Sequence, residues 1–127
     1  MIPGIESTLT MRLAQRSLDA SVLRQQALAS NIANAETPGY KRLDVARDFA
    51  DRLKTAVQRG GAKEALPAPR LGEDSQARAQ RADGNTVDLE NELLQMNKNQ
   101  VDHEYLTQLI GSSFKSLKMA ITGRSSF

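Results

Sequence analysis

The chain has 127 residues, a formal net charge of +2, 39% hydrophobic and 25% charged residues, and only two Tyr, three Phe and no Trp. That length suits a single domain, 1–127, and a composition so lean in large side chains favours a narrow helical seam over a thick core. The absence of Cys excludes disulfides, thiol catalysis and Cys-ligated zinc, and the dispersed Lys and Arg argue against a nucleic-acid face.

The first 13 residues, MIPGIESTLTMRL, lack a basic start followed by an apolar run, so no cleaved signal peptide is expected. No stretch reaches the roughly 18 apolar residues of a membrane span. From about Ile5 to Asn34 the sequence favours helix, rich in Ala, Leu, Gln and Arg and without internal Gly or Pro. Met11, Ala14, Leu18, Val22, Ala29 and Ile32 form one stripe, with Gln25 in its seam. Leu9, Leu13, Ala20, Leu23 and Ala27 form a second, interrupted by Arg16. Two stripes predict a helix, about 5–35, that touches more than one neighbour.

Ser30 to Lys41, SNIANAETPGYK, ends this helix and turns the chain. Pro38 disfavours helical geometry at Thr37 and lacks a donor, and Pro38-Gly39 is the preferred centre of a type II turn. Asn31 and Asn34 lie three apart on one helix face beside Ala29, Ala33 and Ala35, where a second backbone can come close enough to be bonded by their amides. Turn, short helix and loop are expected over 36–86. Val45, Phe49, Leu53 and Val57 recur every fourth residue and predict a lesser helix within Leu43–Gln58. Gly60 to Asn85, with Gly60, Gly61, Gly72, Gly84, Pro67 and Pro69, carries only Leu66 and Leu71 as large apolar residues. It reads as an extended or mobile loop, ordered only by a partner if at all.

The C-terminal helix is expected over about 87–122. Leu89, Leu93, Met96, Gln100, His103, Leu106, Ile110, Phe114, Leu117 and Ile121 follow a near-heptad. Asp88 is the expected N-cap, Glu90 and Glu92 suit the first turn, and Gly123 suits the left-handed C-cap. Gly111-Ser112-Ser113 is a weak point in this helix, or a small-residue notch for a neighbouring helix.

No catalytic constellation assembles from these residues. His103 is the one histidine and, without Cys or a second His, reads as a packed or interface residue and not a metal ligand. Asp48 and Arg52, at i and i+4, read as a solvated helix pair. Gly60-Gly61-Ala62-Lys63 lacks the spacing of a phosphate loop. No enzyme activity, cofactor, metal or small-molecule substrate is expected.

Ser30, Asn31, Asn34, Thr37, Pro38, Gly39, Tyr40 and Lys41 match position by position a signature near the N-terminus of the flagellar axial proteins, the rod and hook subunits. Asp83-Gly84-Asn85-Thr86-Val87-Asp88-Leu89-Glu90 before a long helix resembles the C-terminal half of the short subunits of the proximal rod, as does the ending with Tyr105, Phe114 and Ile121. The resemblance implies an all-α structural subunit whose long terminal helices pack as a coiled-coil-like pair. It implies export through the flagellar type III apparatus without a cleaved signal, and assembly in the periplasm with other rod proteins and with copies of itself. The resemblance also implies contacts with the basal-body adaptor and export-gate proteins. The signature residues are then expected at the turn and at subunit contacts. Leu13, Leu18, Val22, Ile32, Leu93, Ile110, Phe114 and Leu117 are expected in helix packing. The alternatives are another short rod subunit, a cytosolic coiled-coil adaptor, or an export chaperone.

Overall fold

A computed structural model describes residues 3–60 and 65–123. The order is α1 (Pro3–Ala33), β1 (Leu43–Val45), α2 (Phe49–Gly60), β2 (Leu71–Glu73) and α3 (Leu89–Thr122). The Gly61–Lys63 part of the supposed phosphate loop lies outside the described residues. The fold is mostly helical, with the two long helices packed on each other and one small two-stranded sheet. At 1.5 Å per residue, α1 and α3 are each roughly 50 Å long.

The helices run antiparallel: Asn31, near the end of α1, meets Glu92 near the start of α3, whereas Ser21 meets His103 further along. Small residues set the closeness of this contact. Ala14, Ser21 and Leu28, spaced by seven, are buried on α1, flanked by Ala20, Ala27 and Asn31. This line runs between the two apolar stripes read from the sequence. Val22 is therefore exposed, while Leu13, Leu18 and Ile32 are half-buried. On α3 the buried residues are polar, Glu92 and Asn99.

Both ends of α3 are capped as its sequence predicts. Asp88 Oδ1 accepts from Asn91 N at 3.4 Å, and Gly123, at φ 65°, donates its N–H to Met119 O at 2.9 Å. The helix runs through Gly111–Ser113 without a break, since one Gly weakens a long helix by only about 1 kcal/mol relative to Ala.

The middle segment departs from expectation at its start. Leu43–Val45 is a strand and not the first turn of a helix, pairing antiparallel with β2 in the register Leu43↔Glu73 and Val45↔Leu71. Ala46 N to Arg70 O (2.9 Å) and Asp74 N to Arg42 O (3.0 Å) extend the ladder at both ends. Val45 and Phe49 pack on Ala20 of α1, with Leu23, Leu53 and Leu71 around them. The strand partner lies in the segment read as a loop that waits for a partner. Its described part is instead tied to its own chain, with Leu66 and Asn85 buried. Asp48 pairs with Arg70 at 3.4 Å and not with Arg52, because Asp48 stands just before α2, where β2's approach brings Arg70 near.

Candidate functional site

Three pieces of the chain meet where α1 ends: the turn, the β1–β2 ribbon and the start of α3. The turn itself is the one its sequence calls for. Tyr40 N donates to Thr37 O at 3.3 Å, and Gly39 sits at φ 72°, in the left-handed region, so a side chain there would be strained. Thr37 Oγ1 bonds Asn34 Oδ1 at 3.0 Å, and Asn34 Nδ2 returns to Ser30 O at 2.9 Å, so the signature residues brace one another.

Asn31 is the joint of the site. It is completely buried, and every hydrogen-bonding position of its amide is used. Its Nδ2 donates to Leu43 O (2.9 Å) and Glu92 Oε2 (3.1 Å). Its Oδ1 accepts from Leu43 N (2.8 Å) and from the Tyr40 hydroxyl (3.1 Å). Because the Tyr40 proton is committed to Asn31, the Ser30 hydroxyl, 2.9 Å away, is the donor to Tyr40. The amide thus pairs with both backbone groups of one β1 residue, Leu43, as another strand would. The backbone approach expected at Asn31 is made by this chain's own residue 43, which leaves the side chain no free group for a neighbour.

Asn85 performs the matching task for the turn that follows α1. Carbonyls there lie beyond the helical ladder and need donors from elsewhere in the chain. Asn85 Nδ2 lies within 3.1, 3.1 and 2.8 Å of Asn34, Ala35 and Thr37 O, while its Oδ1 takes the Val87 N–H at 2.8 Å. Arg81 adds a bond to Ala35 O at 2.8 Å, and Lys41 Nζ reaches Gly84 O at 2.7 Å.

Arg42 supplies the charge at the centre. It grips the fully buried Glu92 with two nitrogens, Nε to Oε1 at 2.7 Å and a second at 3.3 Å to Oε2. Its remaining terminal nitrogen donates to Asp74 (2.7 Å) and Asp44 (3.3 Å). Burial works against its charge, but the bonds to Glu92 and Asp74 prevail and raise its pKa above the ordinary guanidinium value. Burial likewise opposes ionisation of Asp74, yet the Gln76 N–H and Arg42 hold its carboxyl below the usual range.

This arrangement fixes geometry: its carboxylates are tied to Arg42, Arg24 and Arg47 and its amides are saturated, so no proton-transfer pair faces solvent. Among the described residues no group of three His, Asp or Glu could hold a metal. Of the signature, Ser30, Asn31, Asn34 and Tyr40 converge on the joint, Lys41 clamps the far loop, and Thr37, Pro38 and Gly39 lie at the surface. Arg42, Asp74 and Asn99 escape the sequence reading, which met Asn85 only within a resemblance and Glu92 only as a first-turn acid. Glu92 and Asn99 stand seven apart where a helical seam ordinarily holds apolar residues.

The second feature is the set of large apolar side chains that α3 leaves exposed. Leu93, Phe114 and Leu117, expected in packing, are about half exposed within one chain, and Ile110 is half-buried. Leu94 (64%), Tyr105 (65%) and Ile121 (77%) are more open still. No described helix is long and apolar enough to cross a membrane.

Comparison with known proteins bears on both features. A family model described as "Flagella basal body rod protein" matches residues 11–41, most of α1 with the turn. The flagellar basal body rod protein FlgB of Salmonella typhimurium is 32% identical over 130 residues, covering 89% of this chain and 93% of that protein. FlgB of Escherichia coli is 32% identical over 124 residues, covering 84% and 88%. FlgB of Borrelia hermsii is 30% identical over 131 residues, covering 89% and 96%.

Proposed function

The chain belongs to the FlgB family of flagellar basal body rod proteins and is a structural subunit of that rod; from this we propose that it builds the proximal rod, joining the membrane-embedded base and export gate to the distal rod and hook. It is exported by the flagellar type III apparatus without a cleaved signal peptide and assembles in the periplasm with other rod proteins and copies of itself. It carries out no catalysis.

The exposed apolar side chains of α3 are the observation that supports this reading. Leu93, Leu94, Val101, Tyr105, Phe114, Leu117 and Ile121 stand open on this helix, while its buried residues, Glu92 and Asn99, are polar. A long helix with large apolar side chains in solvent is stabilised by covering them, at roughly 1.5–3 kcal/mol for each one fully buried. Thr37, Pro38, Gly39 and Lys41 display the turn at the surface as a second contact, while Asn31, Asn34 and Tyr40 hold it rigid from within.

Electron microscopy of basal bodies from a strain lacking this chain, beside its complemented parent, tests the proposal. Loss of the rod with the membrane ring retained is expected. An intact rod in the deletion strain would overturn it.

A further inference from the structure

The side of α3 that turns to α1 is not the one its hydropathy would choose. Glu92, Asn99, Leu106 and Ser113 stand on one line at spacings of seven; the first two are buried and the others half-buried. Three of these four are polar. One residue on, about 100° round the helix, Leu93, Gln100, Thr107, Phe114 and Ile121 form a line that is exposed throughout. Burial of apolar area alone favours turning Leu93, Phe114 and Ile121 to α1 in place of Glu92, Asn99 and Ser113.

Polar bonds oppose that turn. Glu92 is held by Asn31 Nδ2 of α1 at 3.1 Å and by Arg42 at 2.7 and 3.3 Å. Asn99 gives both amide protons to α1, to Ser21 O at 2.8 Å and Gln25 Oε1 at 3.2 Å. Rotating α3 by one residue carries both side chains away from these partners and strands the buried Arg42 as well. Yet the pairs are not the most stabilising filling of the seam. A buried ion pair ordinarily gives no more stability than apolar side chains of similar volume. Asn99 also leaves its Oδ1 without a partner among the described residues, which an apolar side chain there would not do. Their effect lies in the choice between arrangements, since every other rotation leaves polar groups buried and unpaired.

We infer that Glu92 and Asn99 are positioning residues: they set the rotation of α3 on α1, against the pull of its apolar residues, and so keep Leu93, Phe114 and Ile121 exposed for neighbouring subunits. The rotation concerns the single chain; its purpose rests on the rod-subunit reading above.

The chain has no Cys, so Gln100→Cys and Ser113→Cys each place a single thiol, the first on the exposed line and the second on the line of Glu92 and Asn99. Maleimide labelling of the isolated full chains reads the rotation. In the native background position 100 should label several-fold faster than position 113. The same pair is then measured with Arg42→Met, Glu92→Leu and Asn99→Leu together, Arg42 being replaced so that no buried charge is stranded. The ratio should fall to one or below, with a cooperative thermal transition retained. An unchanged ratio in the folded chain would overturn the proposal. So would loss of the transition, because the apolar residues of α3 could then hold it on α1 in no rotation. The triple variant should also enter basal bodies several-fold less than the wild type. Equal entry with the ratio lowered would overturn the purpose assigned to the rotation. Absence of the wild-type chain from basal bodies would overturn the rod reading and leave the labelling result standing.

Discussion

Arg42 and Glu92 lie on segments fifty positions apart, and each is buried against the other with its hydrogen bonds made. Removing one partner leaves an uncompensated buried charge, so Arg42→Met alone or Glu92→Leu alone should destabilise the chain by about 3–5 kcal/mol. The double replacement should recover most of that loss, because two apolar side chains of similar size need no partner. Denaturant unfolding of the three variants decides it, and additive losses would show that the pair acts through its separate contacts to Asn31 and Asp74. Asp74 makes the same cluster sensitive to acid. Its carboxyl is held below the ordinary value near 3.8, so its contribution is complete above that pH and is lost as pH falls through the lower native value. Stability measured from pH 6 down to pH 2 should therefore drop below about pH 4, and Asp74→Asn should be less stable at pH 6 and less acid-dependent. Arg42, whose shift is upward, keeps its charge throughout that window.

The long helices owe their form to ordinary element-level rules, and their faces to something else. Asp88 and Gly123 delimit α3, and Pro38-Gly39 prevents α1 from continuing through the turn. Gly111 separates two uses of α3. A Cβ there meets nothing within 4 Å in the single chain, so Gly111→Ala should stabilise the isolated helix pair, by up to about 1 kcal/mol from helix propensity. Circular dichroism of the isolated variant reads that effect, and motility of the complemented strain reads whether a neighbour needs the open space. Normal motility with Gly111→Leu would reject a notch at this position. The β1–β2 ribbon follows a different logic. Leu43–Val45 would be a fair first turn for the helix after it, but Asn31 offers its amide to the Leu43 peptide and residues 71–73 offer a partner strand. Tertiary pairing outweighs the weak local preference of a three-residue piece.

At the scale of the whole molecule, the interior of one chain is small and partly polar, and much large apolar area stays outside. Phe114→Ser with Leu117→Ser should therefore change the isolated chain's thermal transition little, since both side chains are half exposed there, and should sharply reduce incorporation into basal bodies. Equal losses in the two measurements would mean that these residues serve the fold of one subunit only. The elements with strong periodicity and explicit stops were legible in the sequence: both long helices, the caps of α3, and the Thr37–Tyr40 turn. Helix faces were not, because Ala14, Ala20, Ser21 and Ala27 carry weak hydropathy signals yet are buried, Ser21 against α3 and Ala20 beneath Val45 and Phe49. The ordering of residues 65–85 was equally hidden. Its bonds run from Asn85 to the carbonyls just after α1 and from Arg42 to Asp74, pairs whose members lie tens of residues apart and leave no local pattern. The sequence by itself determined an extended helical subunit with a rigid turn, since propensity, capping and turn chemistry act within a few residues. Only the tertiary structure decided that polar side chains hold the subunit together and that apolar ones are left for its neighbours, because burial is a property of what the distant chain brings near.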